Sequence, residues 1–233
     1  MVKMLLSEKD HERIRQAVDA AEKRTSGEIV CVVARECGDY FEVPLAWAIA
    51  MALIVPIVAL LIGLRPDMIQ LVTGGWIAAN AGGADAAVGR ALITYAVLQA
   101  LLFILTAVIV SIPWVRRLVT PKALKREHVH RRALEQFAAR AYHLTEGDTG
   151  VLIFASLAER QAIVLADDGV ASKVKPAEWT KVVDALVAGM KARDPGSGFA
   201  RAIGAAADIL AAHCPPQPDN RNQLPDTVIE LHF

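Results

Sequence analysis

The chain has 233 residues, 25 basic and 25 acidic side chains, six histidines and 54% hydrophobic residues. Equal charge counts argue against a general nucleic-acid binder, which shows a basic excess. Three cysteines, Cys31, Cys37 and Cys214, form neither a CxxC pair nor a Cys/His metal spacing; a sparse, odd set fits a reducing compartment better than a disulfide scaffold.

The N-terminal stretch MVKMLLSEKDHERIRQ has no apolar core long enough for a cleaved signal peptide. Ser7 to Arg24 reads as a helix. Ser7 caps it, and Ile14, Ala17, Val18 and Ala21 form one apolar stripe. EIVCVV, Glu28 to Val33, is a continuous apolar run after one acid, the mark of a strand covered on both faces. Cys31 inside it is expected to act as a small hydrophobe.

Pro44 to Leu64 then runs 21 residues without a charge. At the helical rise it spans roughly 30 Å, the thickness of a bilayer's hydrocarbon core. Ala91 to Val115 is a second uncharged run of 25 residues, bounded by Arg90 and by Arg116 and Arg117. Both exceed the length of about 18 residues that reads as a transmembrane helix; two buried core helices are the alternative. Pro44 suits a first helical turn, and Pro56 is expected to kink the span. Two Gly-Gly pairs and Asp85 interrupt the stretch between the spans, and Trp76 there is expected at the membrane interface. Arg116, Arg117, Lys122, Lys125, Arg126, Arg131 and Arg132 follow the second span, against Arg65 and Arg90 in the loop. The positive-inside rule puts the loop outside, and the soluble part with both termini in the cytoplasm, at a bacterial inner (plasma) membrane. The basic run reads as a topology signal or as a contact with anionic lipid. Membrane lipids are thus expected partners, and alanines 46, 48, 50 and 52 would let another membrane protein's helix pack closely.

Beyond the spans, Lys122 to Leu144 carries a helical stripe at Val129, Ala133, Phe137, Ala141 and Leu144. GVLIFAS (150–156) and QAIVLAD (161–167) read as two strands. The four-residue connection LAER makes them an antiparallel hairpin, with Ser156 opposite Gln161 and Gly150 opposite Asp167. Two helices follow. One carries Trp179, Val182, Val183, Leu186, Val187 and Met190 and is opened by Pro176; the other carries Phe199, Ile203, Ala206, Ala207 and Leu210. CPPQPDNRNQLPD, opening the stretch 214–233, is polar and proline-rich, and no element is expected in it. Without the insertion the order is α-β-α-β-β-α-α, with the first two strands parallel through a right-handed crossover. Residues 1–43 and 116–213 then make one α/β domain interrupted by a transmembrane hairpin, 44–115, and followed by a tail, 214–233. The two pieces can share a core only if the insertion crosses the membrane an even number of times.

The stretches TSGEIVCVV and DTGVLIFASLAERQAIVLADDGV, within LSEKDHERIRQAVDAAEKRTSGEIVCVVA and the run from His130 to Leu210, resemble the TPM domain family. This family occurs in a plant thylakoid photosystem-repair protein and in many bacterial membrane proteins. The resemblance covers most of the chain outside the hairpin and the tail. VKMLLSEKD stands where the family has an Asp-containing segment, and about eighty residues interrupt a crossover that is continuous in most relatives. The resemblance implies a three-layer α/β/α sandwich with a mixed sheet. It also implies either weak acid-phosphatase activity or a non-catalytic role in assembling or maintaining membrane complexes.

The strand directions bring four acids, Glu28, Asp148, Asp167 and Asp168, to the end of the sheet away from the spans. Carboxylates and turn carbonyls gathered there would suit a hard cation, Ca²⁺ or Mg²⁺, which would orient and neutralise a phosphate. The alternative is that Asp-Gly and Gly-Asp pairs are simply turn formers. No P-loop, GxGxxG or GxSxG motif is present, and nothing calls for an organic cofactor. His128 and His130, two apart, point to different sides of a helix. Ser156 has no base placed beside it by sequence. Glu159 and Arg160 read as a solvated hairpin tip or as a membrane-side contact. Two functions are therefore expected in competition: a membrane-anchored interaction or assembly module, and a divalent-metal-dependent phosphatase-like hydrolase. Transport is disfavoured, because neither span holds an Asp, Glu, Lys, Arg or His.

Overall fold

A computed structural model describes residues 4–38, 40–63, 84–140, 145, 148–216, 224 and 226–232. The loop around Trp76, the end of the helix expected to reach Leu144 and most of the proline-rich segment lie outside them. Along the chain run α1 (Glu8–Glu22), β1 (Glu28–Ala34), α2 (Glu42–Leu61), α3 (Ala84–Ser111), α4 (Pro113–Val119) and α5 (Lys122–Arg140). There follow β2 (Gly150–Ser156), β3 (Gln161–Ala166), α6 (Asp168–Ala171), a 3-10 turn (Pro176–Trp179), α7 (Thr180–Lys191), α8 (Pro195–His213) and β4 (Ile229–Leu231). The chain divides into two compact units, Met1–Asp39 with Pro121–Phe233, and Tyr40–Thr120.

In the first unit, α1 starts where Ser7 closes a capping box. Its Oγ accepts from the Asp10 N–H (3.2 Å), and the Asp10 carboxylate accepts from the Ser7 N–H (3.2 Å). The strands form a mixed four-stranded sheet in the order β3-β2-β1-β4. β1 and β2 are parallel from Glu28↔Gly150 to Ala34↔Ser156. β2 and β3 are antiparallel with Ser156 facing Gln161, the register that the four-residue connection dictates. Both sheet faces are covered. Ile29, Cys31, Val33, Val151, Ile153 and Ala155 share a core with residues of α1, α7 and α8, while Val30, Val32, Leu152 and Phe154 pack with Val129, Ala133 and Phe137 of α5. That two-sided cover is why β1 and β2 read as unbroken apolar runs. α7 and α8 meet at two glycines, where a Cβ on Gly189 would lie 2.4 Å from the Gly198 Cα.

Three local features differ from the sequence reading. β4 follows the proline-rich segment and extends β1, pairing Val32 with Ile229 in parallel. The helix that Pro176 opens begins as a 3-10 turn and becomes α-helical at Thr180. Asp167 ends no strand; it caps the short helix α6.

In the second unit, α2 runs through Pro56 as one unbroken helix. The run Ala91 to Val115, expected as one span, is broken. α3 ends at Ser111, and Ile112 adopts φ −63°, ψ 124°, because the residue before a proline, here Pro113, is pushed out of the helical region. Tyr95–Ser111 and Pro113–Val119 are consequently bent by 98°. Among the described residues, Glu42–Ala59 is the one helical stretch that alone is long and apolar enough to cross a membrane, with a mean hydropathy of 2.1. The bent pair adds a second only if it counts as one span. α2 and α3 pack together; Ala48 and Ala52 are buried, whereas Ala46 is exposed. Of the large apolar side chains exposed among the described residues, all but Met4 and Leu134 lie between Phe41 and Leu118.

Candidate functional site

Buried polar residues gather at one rim of the sheet, where β1 and β2 begin and β3 ends. Thr25, Ser26, Glu28, Thr145, Thr149 and Asp167 are buried there; among the described residues only Thr120 and Ser156 are buried polar or charged side chains elsewhere. Such groups must be hydrogen-bonded to be stable inside a fold. The Thr25 hydroxyl and the Ser26 N–H both donate to the Cys214 carbonyl (2.6 and 3.1 Å). The Thr149 hydroxyl donates to the Ser26 carbonyl (3.1 Å), and its N–H to the Thr145 hydroxyl (2.8 Å). These bonds tie the entry of β1, the entry of β2 and the end of α8 into one layer.

All four acids singled out in the sequence lie along this rim, two of them buried and two not. Glu28 is buried at the first position of β1, and its Oε2 accepts from the Leu224 N–H (3.2 Å). Asp167 is fully buried. Its N–H donates to the Gly150 carbonyl (2.9 Å), and its Oδ1 accepts from the Asp168 N–H (2.9 Å). Asp148 is half-buried and takes the left-handed conformation at φ 52°, a turn role that Asp tolerates. Asp168 is exposed in the first turn of α6. The rim brings the four positions to one edge but not into one ligand set. Among the described residues no group of three or more His, Cys, Asp and Glu side chains is arranged to hold a metal ion.

Beside this rim lies one further carboxylate, not among those four, whose ionisation is clearly shifted. Glu22, at the last turn of α1, is half-buried, and its Oε1 accepts from the Ile29 N–H (3.2 Å). Burial pushes its pKa up to about 8, and the charges of Glu28, Asp226 and Asp19 push the same way against that hydrogen bond. At neutral pH Glu22 therefore carries a proton, which it loses as pH rises through about 8. The sequence signal was present: Glu22 continues the i, i+4 spacing of Ile14 and Val18, which places it on the covered side of α1.

At the opposite end of β1 and β2, Glu159 is not a solvated tip. Its carboxylate accepts from the Ser156 hydroxyl and from the Cys37 N–H (3.3 Å), clamping the exit of β1 to the β2–β3 hairpin. Burial raises the Cys37 thiol to about 12, and burial likewise raises the Cys31 thiol. Both are held as unreactive thiols at neutral pH, and all three cysteines are free and buried.

No family model matches the chain, and no curated protein matches it. Among solved structures it is similar to the NMR structure of BA42 protein from the psychrophilic bacterium Bizionia argentinensis sp. nov. The TM-score is 0.53 at 16% identity, over 99% of this chain and 98% of that one. At that identity the likeness is one of fold alone.

Proposed function

We propose that the chain is a membrane-anchored α/β domain of the TPM type that serves as an interaction or assembly module for membrane protein complexes. The observation that carries the anchor is the distribution of exposed apolar side chains. Leu45, Trp47, Ile49, Leu53, Ile54 and Ile57 are all exposed on α2, and only 28% of Glu42–Ala59 is buried. A core helix of a water-soluble protein buries such residues, whereas a helix apolar on every side suits lipid. The pairing of β1 with β2 adds a constraint. These strands flank the second unit in sequence and share seven register positions, so an insertion that enters the bilayer at α2 must also return. In this reading the return falls to α3 and α4, which count as one span only across their 98° bend, and the basic residues from Arg116 to Arg132 favour a cytoplasmic sheet.

The role of the first unit as a docking body rests on the resemblance to TPM domains and on its closed, two-sided core. Phosphatase activity is the other outcome of that resemblance, and a divalent metal for it comes only from the reading of the acidic rim; no observation favours that hydrolase, since Glu28 and Asp167 are buried and bonded to backbone N–H groups. Two measurements test the reading. The chain is expected to stay with the membrane after an alkaline carbonate wash, and recovery in the soluble fraction would remove the anchor. The purified chain with Mg²⁺ or Ca²⁺ is expected to hydrolyse a phosphate monoester no faster than its Asp167→Asn/Asp168→Asn variant. Turnover that the double variant loses would replace the module with the enzyme.

A further inference from the structure

The seven-residue helix α4 leaves α3 at a bend of 98°. At about 100° per residue, Trp114, Val115, Leu118 and Val119 fall on one arc of α4, and Arg116 and Arg117 on the opposite arc. α4 packs against α2 and α3, and Val115 and Val119 are half-buried. Trp114 and Leu118, one helical turn apart, stay 69% and 76% exposed. Arg116 is half-buried, and among the described residues its buried Nε has no hydrogen-bond partner. A guanidinium nitrogen held away from water without an acceptor is costly.

We propose that α4 lies flat in the headgroup layer where α3 leaves the bilayer, with Trp114 and Leu118 among the first acyl carbons and Arg116 and Arg117 on the phosphates of anionic phospholipid. Three features point to lipid as the occupant. A helix at a right angle to one that crosses the bilayer runs along its surface. An apolar arc with tryptophan on one side and arginine on the other is the make-up of an interfacial helix. The exposed apolar side chains of α3 at Ile104, Leu105, Val108 and Ile109 continue along the chain through Ile112 to Trp114 and Leu118, so the surface that faces lipid reaches α4 without a polar gap. The long Arg116 side chain can swing its guanidinium to the headgroups, where a phosphate accepts from Nε and a terminal nitrogen together.

The inference rests on the anchored reading and refines it: the crossing ends at Ser111, and α4 turns along the surface. Trp114→Cys and Leu118→Cys change exposed positions, and the native cysteines are buried. Each full-length variant, carrying a nitroxide on its new thiol, is reconstituted in phosphatidylcholine–phosphatidylglycerol vesicles. Relative access of oxygen and of a nickel chelate to the nitroxide then gives its depth. Both labels are expected at one shallow depth below the phosphates. Depths that differ by about 6 Å, the rise of four helical residues along the membrane normal, overturn the inference and leave the anchor standing. Labels that both sit in water do the same. Spin-labelled phosphatidylglycerol should be favoured over spin-labelled phosphatidylcholine at the wild-type chain about fivefold more than at Arg116→Gln/Arg117→Gln. An equal preference in the two proteins overturns the assignment of these arginines to anionic lipid. A chain that never enters the vesicles overturns the anchor and the surface helix together.

Discussion

Glu22 makes the fold's stability depend on pH in an unusual direction. Its carboxyl ionises near 4.5 in an unfolded chain and at about 8 in the fold, so the folded state binds more protons throughout that interval. A group whose folded pKa is raised contributes fully below the unfolded value and loses its contribution as pH climbs through the folded value. The first unit should therefore weaken steadily between pH 4.5 and 8, a range in which most carboxylates strengthen a fold. A tenfold change in proton affinity is worth about 1.4 kcal/mol, so the whole interval sets a ceiling of about 5 kcal/mol. Glu22 is only half-buried, and solvent screening brings the expected loss to about 2 kcal/mol. Amide hydrogen exchange of β1 and β2, in the full chain held in micelles, reads this locally at pH 5.5 and 8.5. Glu22→Gln cannot ionise and still offers an oxygen to the Ile29 N–H. Its β1 amides should be better protected than those of wild type at pH 8.5 and no better at pH 5.5. Equal wild-type and variant protection at both values would refute the placement of a neutral carboxyl at this rim.

Further outcomes follow from the packing. Gly189→Ala should cost about 3 kcal/mol, since its Cβ would meet the backbone of Gly198. Gly204→Ala, whose Cβ meets nothing within 4 Å, should stabilise α8 by up to about 1 kcal/mol; thermal unfolding of the two variants separates them by sign. Glu230 accepts from the Leu5 and Leu6 N–H groups and pairs with His11, each at 2.9 Å. Glu230→Ala should cost about 2 kcal/mol and speed amide exchange at Leu5 and Leu6 by tenfold or more, without changing exchange in α7.

The sheet was legible wherever residue periodicity and short connections determine it. The four-residue turn Leu157–Arg160 leaves a hairpin one register, and β1 and β2 announce two covered faces by apolar runs without a polar gap. β4 was not legible, because three residues beyond a proline-rich stretch carry no period; its strand state comes from the open edge of β1. The break at Ile112 was written in the sequence as a residue before proline, but counting uncharged residues from Ala91 to Val115 passes over it. At the rim, strand direction places Glu28, Asp148, Asp167 and Asp168 on one edge. It does not say which carboxylates turn inward to meet backbone N–H groups, since that depends on Leu224, on the cap of α6 and on the left-handed turn at Asp148. Glu22 escaped notice because a glutamate late in a helix ordinarily faces water; its spacing from Ile14 and Val18 was the contrary signal.

The central claim is that one cytoplasmic sheet is assembled from chain on both sides of a membrane-embedded unit. Met4 precedes that unit and Lys173 follows it; both are exposed, and the native cysteines are buried. Met4→Cys and Lys173→Cys should each react with a membrane-impermeant maleimide in inverted membrane vesicles, and neither should react in intact cells. Labelling of the two positions from opposite faces would contradict the account.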